Sequence, residues 1–142
     1  MRHLASLALM ASVATLAAAV TSRVTAHGNV VLQAVDTSAL PDIGEAWIEK
    51  NPYRGNPKAI AIGKSAYNQN CARCHGLEGI SGGIAPDLRY LDVGEAGDAW
   101  YIQRYHKGSS RDGKVYMPPI GDVLGQKAGW AIRSWLDTVH EE

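Results

Sequence analysis

The stretch Cys71-Ala72-Arg73-Cys74-His75 contains the only two cysteines of a 142-residue chain. The two thiols stand three residues apart, and an imidazole follows at once. This spacing takes about one helical turn, which places both thiols and the imidazole along one edge. A Cys-x-x-Cys-His run is the attachment site of a c-type haem, in which each thiol adds across a vinyl group of the porphyrin and the histidine binds the iron. The motif therefore predicts one covalent haem c.

Two other interpretations of the cysteine pair have to be weighed. A Cys-x-x-Cys pair can also be a thiol–disulfide redox site or one half of a zinc site. A zinc site would need a second cluster of ligands, which the sequence lacks. A dithiol redox site belongs in a strand-rich βαβ setting, where a histidine at position 75 would be incidental. Haem attachment is the interpretation that uses Cys71, Cys74 and His75 together.

The start of the chain has the pattern of an export signal. Arg2 and His3 precede an uncharged, apolar or small-residue segment over residues 4–20, and residues 24–26 are Val-Thr-Ala. This pattern predicts a secretory signal peptide over residues 1–26, cleaved after Ala26. A membrane anchor is the alternative, but the segment is rich in alanine and shorter than the roughly 20 strongly apolar residues of a span. We therefore expect a periplasmic protein without a membrane anchor, which agrees with covalent haem attachment.

The charge balance argues against nucleic-acid binding, and the length indicates a single domain. The chain has 14 basic and 14 acidic residues, and loss of the signal peptide leaves a slightly negative balance. Nucleic acid is therefore not an expected partner, because its recognition needs a basic stripe. Residues 58–142 are expected to form one domain, small enough that a buried cofactor would make up much of its core.

The segment between the signal peptide and this domain has a different character. Three prolines interrupt residues 27–57, which predicts an irregular N-terminal extension with at most one short helix, near residues 43–50. The large apolar side chains of Trp47 and Tyr53 would be exposed to solvent in a free tail, so we expect the extension to pack on the domain. A flexible arm is the alternative.

Three segments of the domain show helical spacing of apolar residues. They cover residues 58–69, 98–107 and 127–139, and the last has the clearest apolar stripe. Gly63 lies inside the first segment, where a glycine costs about 1 kcal/mol, so we expect it to allow close contact with another helix. No segment shows the alternation of a strand. The predicted fold class is all-α.

Met117 is the candidate for the second axial ligand of the iron. Met1 and Met10 leave with the signal peptide, so Met117 is the sole thioether of the mature chain. Two prolines follow it, which restricts Met117 to an extended conformation and stiffens the loop. Since a His/Met pair is a known haem ligation, we expect Met117 to bind the iron opposite His75.

Alternatives remain for this position. Met117 could be a gap-filling core residue, and His27, His106 and His140 are other potential ligands. His106 lies late in a predicted helix, His140 lies near the chain end, and His27 would become the N-terminal residue after cleavage. That last position could also suggest copper bound by an amine and an imidazole, but no further ligands accompany it.

Pro86 is the candidate for orienting His75. A metal-bound imidazole normally donates its second N–H to an acceptor, often a backbone carbonyl. Pro86 lies in the loop over residues 82–88, in which this rigid proline follows two flexible glycines. Its carbonyl is therefore a suitable acceptor. The alternative is an ordinary loop proline.

These residues resemble the class I cytochromes c. The resemblance covers about residues 58–140, and it implies helices wrapped around one covalent haem c, with the first and last helices crossing at Gly63 against Trp135. The residues that carry it are Gly63, Tyr67, the CARCH run, Pro86, Leu88, Met117-Pro118 and Trp135-Leu136. More narrowly, the blocks ALPDIGEAWIEKNPYRGN and AYNQNCARCHGLEGISGGIAPDLRYL resemble the PedF-type cytochromes c, which serve pyrroloquinoline-quinone-dependent ethanol dehydrogenases.

The resemblance implies an electron carrier. We expect a one-electron carrier that accepts electrons from a quinoprotein alcohol dehydrogenase and passes them to a downstream cytochrome or terminal oxidase. It would not be an enzyme, and no catalytic residue is expected. Two alternatives stay open: a fixed cytochrome subunit of another periplasmic dehydrogenase, and a haem enzyme or gas sensor with a labile sixth ligand.

Overall fold

The computed structural model describes residues 31–142, so the predicted signal peptide and His27 lie outside the described residues. The described part is mostly helical, which confirms the all-α fold class. Its elements, in chain order, are α1 (Pro57–Asn70), α2 (Ala72–His75), α3 (Glu95–Lys107), the short strands β1 (Ser109–Arg111) and β2 (Lys114–Met117), and α4 (Gly121–Leu136). Two 3₁₀ turns, Leu77–Gly79 and Leu88–Tyr90, lie between α2 and α3.

The crossing of α1 and α4 is the closest contact between helices. A Cβ atom on Gly63 would overlap the carbonyl of Ala131, so the two backbones touch at this point. Trp135 lies about one turn further along α4, where its ring packs 4.5 Å from that of Tyr67. The expected crossing is therefore present, but the expected partner of Gly63 was wrong: it is Ala131, and the aromatic pair forms beside it.

The last helix differs from its predicted bounds at both ends. It begins at Gly121 rather than near residue 127, and it is interrupted at Gly125, which has φ 77°. A glycine in this conformation ends a regular helical pattern, which explains why the periodicity starts only after it. The helix ends at Leu136, and residues 137–139 form a turn. Twelve of the sixteen residues of α4 are buried.

A β-hairpin that the sequence pattern did not predict lies between α3 and α4. β1 and β2 pair antiparallel around a turn in which Asp112 and Gly113 both have positive φ. Asp-Gly is a favoured pair for such a turn, and this signal was available in the sequence. The strands themselves were missed because they are three and four residues long and mostly exposed. β2 ends at Met117.

The extension over residues 31–56 contains no helix or strand, so it is irregular as expected, and the one short helix that the sequence allowed near residues 43–50 is absent. Its backbone polar groups pair with α4 instead. The side-chain amide of Gln126 donates to the carbonyls of Gly44 and Ala46, each at 2.9 Å, and its oxygen accepts from the N–H of Ile48 at 3.3 Å. The extension therefore packs on the helical domain along α4.

A buried ionic cluster fixes the far end of the extension. The carboxylate of Asp98 is fully buried and accepts from the N–H of Asn51 at 2.8 Å. It also accepts from the guanidinium groups of Arg54 at 2.7 Å and Arg133 at 3.2 Å. Removing one partner of such a cluster leaves a buried charge uncompensated, so the cluster ties the extension to α3 and α4.

Gly63→Ala tests the helix crossing. We expect the substitution to lower the free energy of unfolding by about 1 to 3 kcal/mol, because the new methyl group meets backbone that cannot move aside cheaply. Denaturant unfolding would measure it. Gly82→Ala is the matched control, since a Cβ there has no neighbour within 4 Å, and we expect a change within about 0.5 kcal/mol. Equal losses in the two variants would contradict this account of the crossing.

Candidate functional site

The Cys71–His75 segment forms a single turn at the end of α1. The chain breaks from helical geometry at Cys71, which has φ −110°, and α2 follows immediately. The carbonyl of Cys71 accepts from the N–H groups of Cys74, at 3.1 Å, and His75, at 3.0 Å. No disulfide bond joins the two cysteines. The fold thus places two thiols and an imidazole on one turn.

The environment of Cys71 argues against a dithiol redox site. Burial, and then the neighbouring Cys74, raise the pKa of the Cys71 thiol to about 12. A redox-active cysteine needs a lowered pKa, because the thiolate is the reactive form. Within residues 31–142 there is also no group of three or more His, Cys, Asp and Glu side chains that could hold a metal ion. A zinc site is therefore disfavoured in the same region.

His75 has a defined orientation. Its Nδ1 lies 2.9 Å from the carbonyl oxygen of Pro86. Because a carbonyl only accepts, this contact requires the proton on Nδ1 and leaves the lone pair of Nε2 free. A neutral imidazole with a free Nε2 is the form that binds a metal ion. The structure thus brings together the two residues that the sequence suggested as ligand and orienting acceptor.

The loop that carries Pro86 is braced by Asp87. Its carboxylate accepts from the N–H of Ser81 at 3.1 Å, and from the N–H and guanidinium of Arg89 at 3.0 and 2.9 Å. These hydrogen bonds, chiefly those from the Arg89 side chain, lower the pKa of Asp87 to about 2. Arg89 in turn pairs with Glu141 at 2.6 Å. This brace was not predicted, although the Asp-x-Arg spacing is visible in the sequence.

Tyr67 supports the other side of the same turn. Its ring is fully buried, and its hydroxyl donates to the carbonyl of Gly76 at 2.8 Å, directly after His75. Burial raises the pKa of Tyr67, which keeps the hydroxyl protonated as a donor. Gly76 has φ 79°, and a Cβ there would overlap the carbonyl of Ile80. Only glycine fits at this point.

Met117 lies where β2 ends, with its backbone held against the end of α3. A Cβ on Gly108 would overlap the carbonyl of Met117, so the two segments are in direct contact. Three residues after Met117, the N–H of Ile120 donates to the carbonyl of Tyr105 at 3.1 Å. The Met117 side chain is partly buried and packs against the hydrophobic core, as does Cys71.

The competing histidines have other surroundings. Nε2 of His106 lies 3.0 Å from a carboxylate oxygen of Asp122, and its ring stacks on Trp47 at 3.8 Å. These contacts engage the ring and disfavour it as an iron ligand. His140 is partly buried, and its Nδ1 has no hydrogen-bond partner among the described residues.

The donor set fits a covalently bound haem. It consists of two cysteines that no disulfide joins, an imidazole with Nε2 available and one thioether. The segments next to His75 and Met117 also carry large apolar side chains that are more than half exposed. An apolar macrocycle bound there would cover such side chains. These side chains are Leu77, Ile80, Ile84, Val115 and Tyr116.

Comparison with known proteins identifies the family. Residues 58–136 match the family described as "Cytochrome C oxidase, cbb3-type, subunit III". The chain is also 56% identical over 119 residues to cytochrome c550 of Pseudomonas aeruginosa, which covers 81% of this chain and 82% of that protein. The chain belongs to the cytochrome c family. This confirms the resemblance to class I cytochromes c, and the cytochrome carries a covalently attached haem c.

A second likeness covers a small part of the cytochrome. A stretch of 38 residues is 47% identical to "Quinohemoprotein alcohol dehydrogenase ADH IIB" of Pseudomonas putida, which is 27% of this chain and 6% of that protein. No solved structure matches the chain. Within residues 31–142, no helix of the cytochrome has the length and apolar character to cross a membrane. The narrower resemblance to PedF-type cytochromes stays a prediction.

The pH dependence of stability tests the Asp87 brace. We expect Asp87→Asn to destabilise the cytochrome at pH 7, because the ionised carboxylate accepts stronger hydrogen bonds than an amide. The folded pKa of about 2 lies below the ordinary value of 3.8. The stabilisation is therefore complete above about pH 4 and is lost as the pH falls through about 2.

Denaturant unfolding at pH 7, 4, 3 and 2 would measure this difference between Asp87→Asn and the unmodified protein. Asp112→Asn, in the exposed hairpin turn, serves as the control and should leave stability unchanged at each pH. A difference for Asp87→Asn that stays constant down to pH 2 would contradict the assignment.

Proposed function

We propose that this cytochrome is a periplasmic one-electron carrier with His75 and Met117 as the axial ligands of its haem iron. Cys71 and Cys74 form the thioether links, and the carbonyl of Pro86 orients His75. The observation that carries the proposal is the contact of 2.9 Å between Nδ1 of His75 and the carbonyl oxygen of Pro86, on a turn that also carries Cys71 and Cys74 without a disulfide. When bound, the haem supplies a one-electron exchange between ferric and ferrous iron.

The surrounding residues suit ligands that stay in place. Pro86, braced through Asp87, holds the imidazole with Nε2 free. Met117 offers a neutral, soft sulfur from a loop that is fixed against Gly108. A thioether ligand favours the ferrous state and raises the reduction potential. Because both ligands are fixed by the fold, a change of oxidation state needs little rearrangement.

We propose a quinoprotein alcohol dehydrogenase as the electron donor and a downstream cytochrome or terminal oxidase as the acceptor. The partial likeness to a protein named as a quinohemoprotein alcohol dehydrogenase supports the donor, as does the sequence resemblance to PedF-type cytochromes. The pattern of residues 1–26, with cleavage after Ala26, supports export to the periplasm. Contacts of a carrier with its partners are brief and bury a small interface.

The structure of the extension favours a carrier over a fixed subunit. Leu40 and Tyr53 are 4% and 2% exposed, and both are buried within the cytochrome's own core. The Tyr53 hydroxyl donates to the carbonyl of Pro41 at 2.6 Å, inside the extension itself. Leu40 and Tyr53 therefore need no second protein to bury them.

Met117→Ala tests the axial ligand and separates a carrier from a haem enzyme or gas sensor. In the ferric protein we expect a near-infrared sulfur-to-iron band that Met117→Ala abolishes, because no other thioether remains in the mature chain. The variant should then bind carbon monoxide readily in its ferrous form, whereas the parent protein should not. His140→Ala is the control and should keep the band. High-spin iron that binds carbon monoxide in the parent protein would contradict the proposed ligation.

Reduction by a quinoprotein ethanol dehydrogenase tests the donor. In stopped-flow mixing, we expect second-order reduction whose rate depends on ionic strength, as for a brief encounter between charged surfaces. A cytochrome of another class with a similar potential is the control acceptor and should be reduced more slowly. Absence of reduction would reject this donor. A complex that survives purification at high salt, where surface charges are screened, would instead indicate a fixed subunit.

A further inference from the structure

Trp47 of the extension lies against the chain just after Met117. Its ring stacks on the imidazole of His106, with centroids 3.8 Å apart and planes 13° apart. The edge of the ring reaches Gly121, where an added Cβ would lie 2.7 Å from Cη2 of Trp47. Gly121 is buried and opens α4, four residues after Met117. One side chain thus touches both the end of α3 and the start of α4.

The position of Trp47 is fixed by the residues on either side of it. Gln126 pairs with the backbone of Gly44, Ala46 and Ile48 through three hydrogen bonds. Because Gln126 belongs to α4, the helix that follows the Met117 loop also holds the segment that carries Trp47. The ring cannot leave Gly121 without breaking these bonds or changing its rotamer.

The loop after Met117 is therefore held from two sides. On one side, the α3 end contributes the contact of Gly108 with Met117 and the hydrogen bond from Ile120 to Tyr105. On the other side, Trp47 covers Gly121. The contact of 3.0 Å between His106 and Asp122 joins the two sides, because His106 is also the residue on which Trp47 stacks.

We propose that Trp47 is a positioning residue for Met117, which clamps the loop so that the thioether stays in reach of the iron. This inference rests on the proposed function, since it requires Met117 to be an axial ligand. The two prolines after Met117 stiffen the loop, but stiffness alone does not hold it against the domain. A stiff loop moves as a unit, so the contacts that anchor it to the domain determine how often it detaches from the domain.

The experiment measures how often the loop opens. An external ligand such as imidazole binds ferric iron only when the Met117 sulfur is displaced, so its apparent affinity rises with the open fraction. An aromatic contact contributes about 0.5 to 1.5 kcal/mol beyond its buried area, so we expect Trp47→Leu in the holoprotein to bind imidazole roughly two- to tenfold more tightly. The near-infrared band should weaken on warming at a lower temperature than in the parent protein.

Tyr53→Leu is the matched control. Tyr53 is an aromatic residue of the same extension and is 2% exposed, but its hydrogen bond is made to Pro41. We expect Tyr53→Leu to lower global stability and to leave the imidazole affinity unchanged. Trp47→Phe keeps an aromatic ring, so the prediction can still be tested if Trp47→Leu fails to fold. It should shift the affinity in the same direction by a smaller factor.

Three results would overturn the inference. An unchanged imidazole affinity in Trp47→Leu or Trp47→Phe would reject the clamp, even if stability falls. An equal increase in Tyr53→Leu would show that any damage to the extension has this effect. Absence of the near-infrared band in the parent protein would reject Met117 as a ligand, and the proposed ligation would fail together with the clamp. A normal band in the parent with no change in the variants would reject the clamp alone.

Discussion

The close crossing of α1 and α4 is the constraint on which the rest of the structure depends. Gly63 lets the two backbones touch at Ala131, and this contact brings the next turns of both helices together. Tyr67 then packs on Trp135 and donates its hydroxyl to the carbonyl of Gly76. Gly76 follows His75 directly, so the helix crossing sets the position of the haem-binding turn. The geometry at the site is thus a consequence of a helix contact about two turns away.

The extension shares α4 with the rest of the fold. One part of α4 contacts α1, Arg133 pairs with Asp98 of α3, and Gln126 holds the extension. The buried carboxylate of Asp98 also accepts from Asn51 and Arg54. A buried charge of this kind gives little net stability when it is fully paired, but loss of one partner strongly destabilises the fold. The cluster therefore specifies one arrangement of the extension rather than adding much to the overall stability.

The sequence was most informative where local rules act. The CARCH run, the three long helices and the all-α class follow from spacing and periodicity, because a helix presents residues three and four apart on one face. The start of α1 agrees to within one residue, and Asn56 caps it by accepting from the N–H groups of Lys58 and Ala59. The covalent haem c and the cytochrome family were predicted from the same residues.

The remaining features depend on contacts that no local pattern encodes. The partner of Gly63 is decided by the register of two helices that lie far apart in the chain, so the expected Trp135 was displaced by Ala131. The segment near Gly44 is not a helix, because Gly44 has φ 74° and Gln126 takes its backbone hydrogen bonds. The hairpin before Met117 is too short and too exposed to show alternation. The bracing of Pro86 by Asp87 was not predicted, because it depends on how the loop folds back on itself.

α4 follows α1, α3 and the extension in the chain, which affects the order in which these elements can pack. Gly63, Trp47 and Asp98 all have their partners on this helix or next to it, and it is synthesised after the elements that carry them. Until then, α1 has no surface to close against, and domains generally fold only when their elements are present. The CARCH turn, in contrast, is complete much earlier in the chain. The cysteines therefore lie on a segment that is synthesised before the helix that closes the fold.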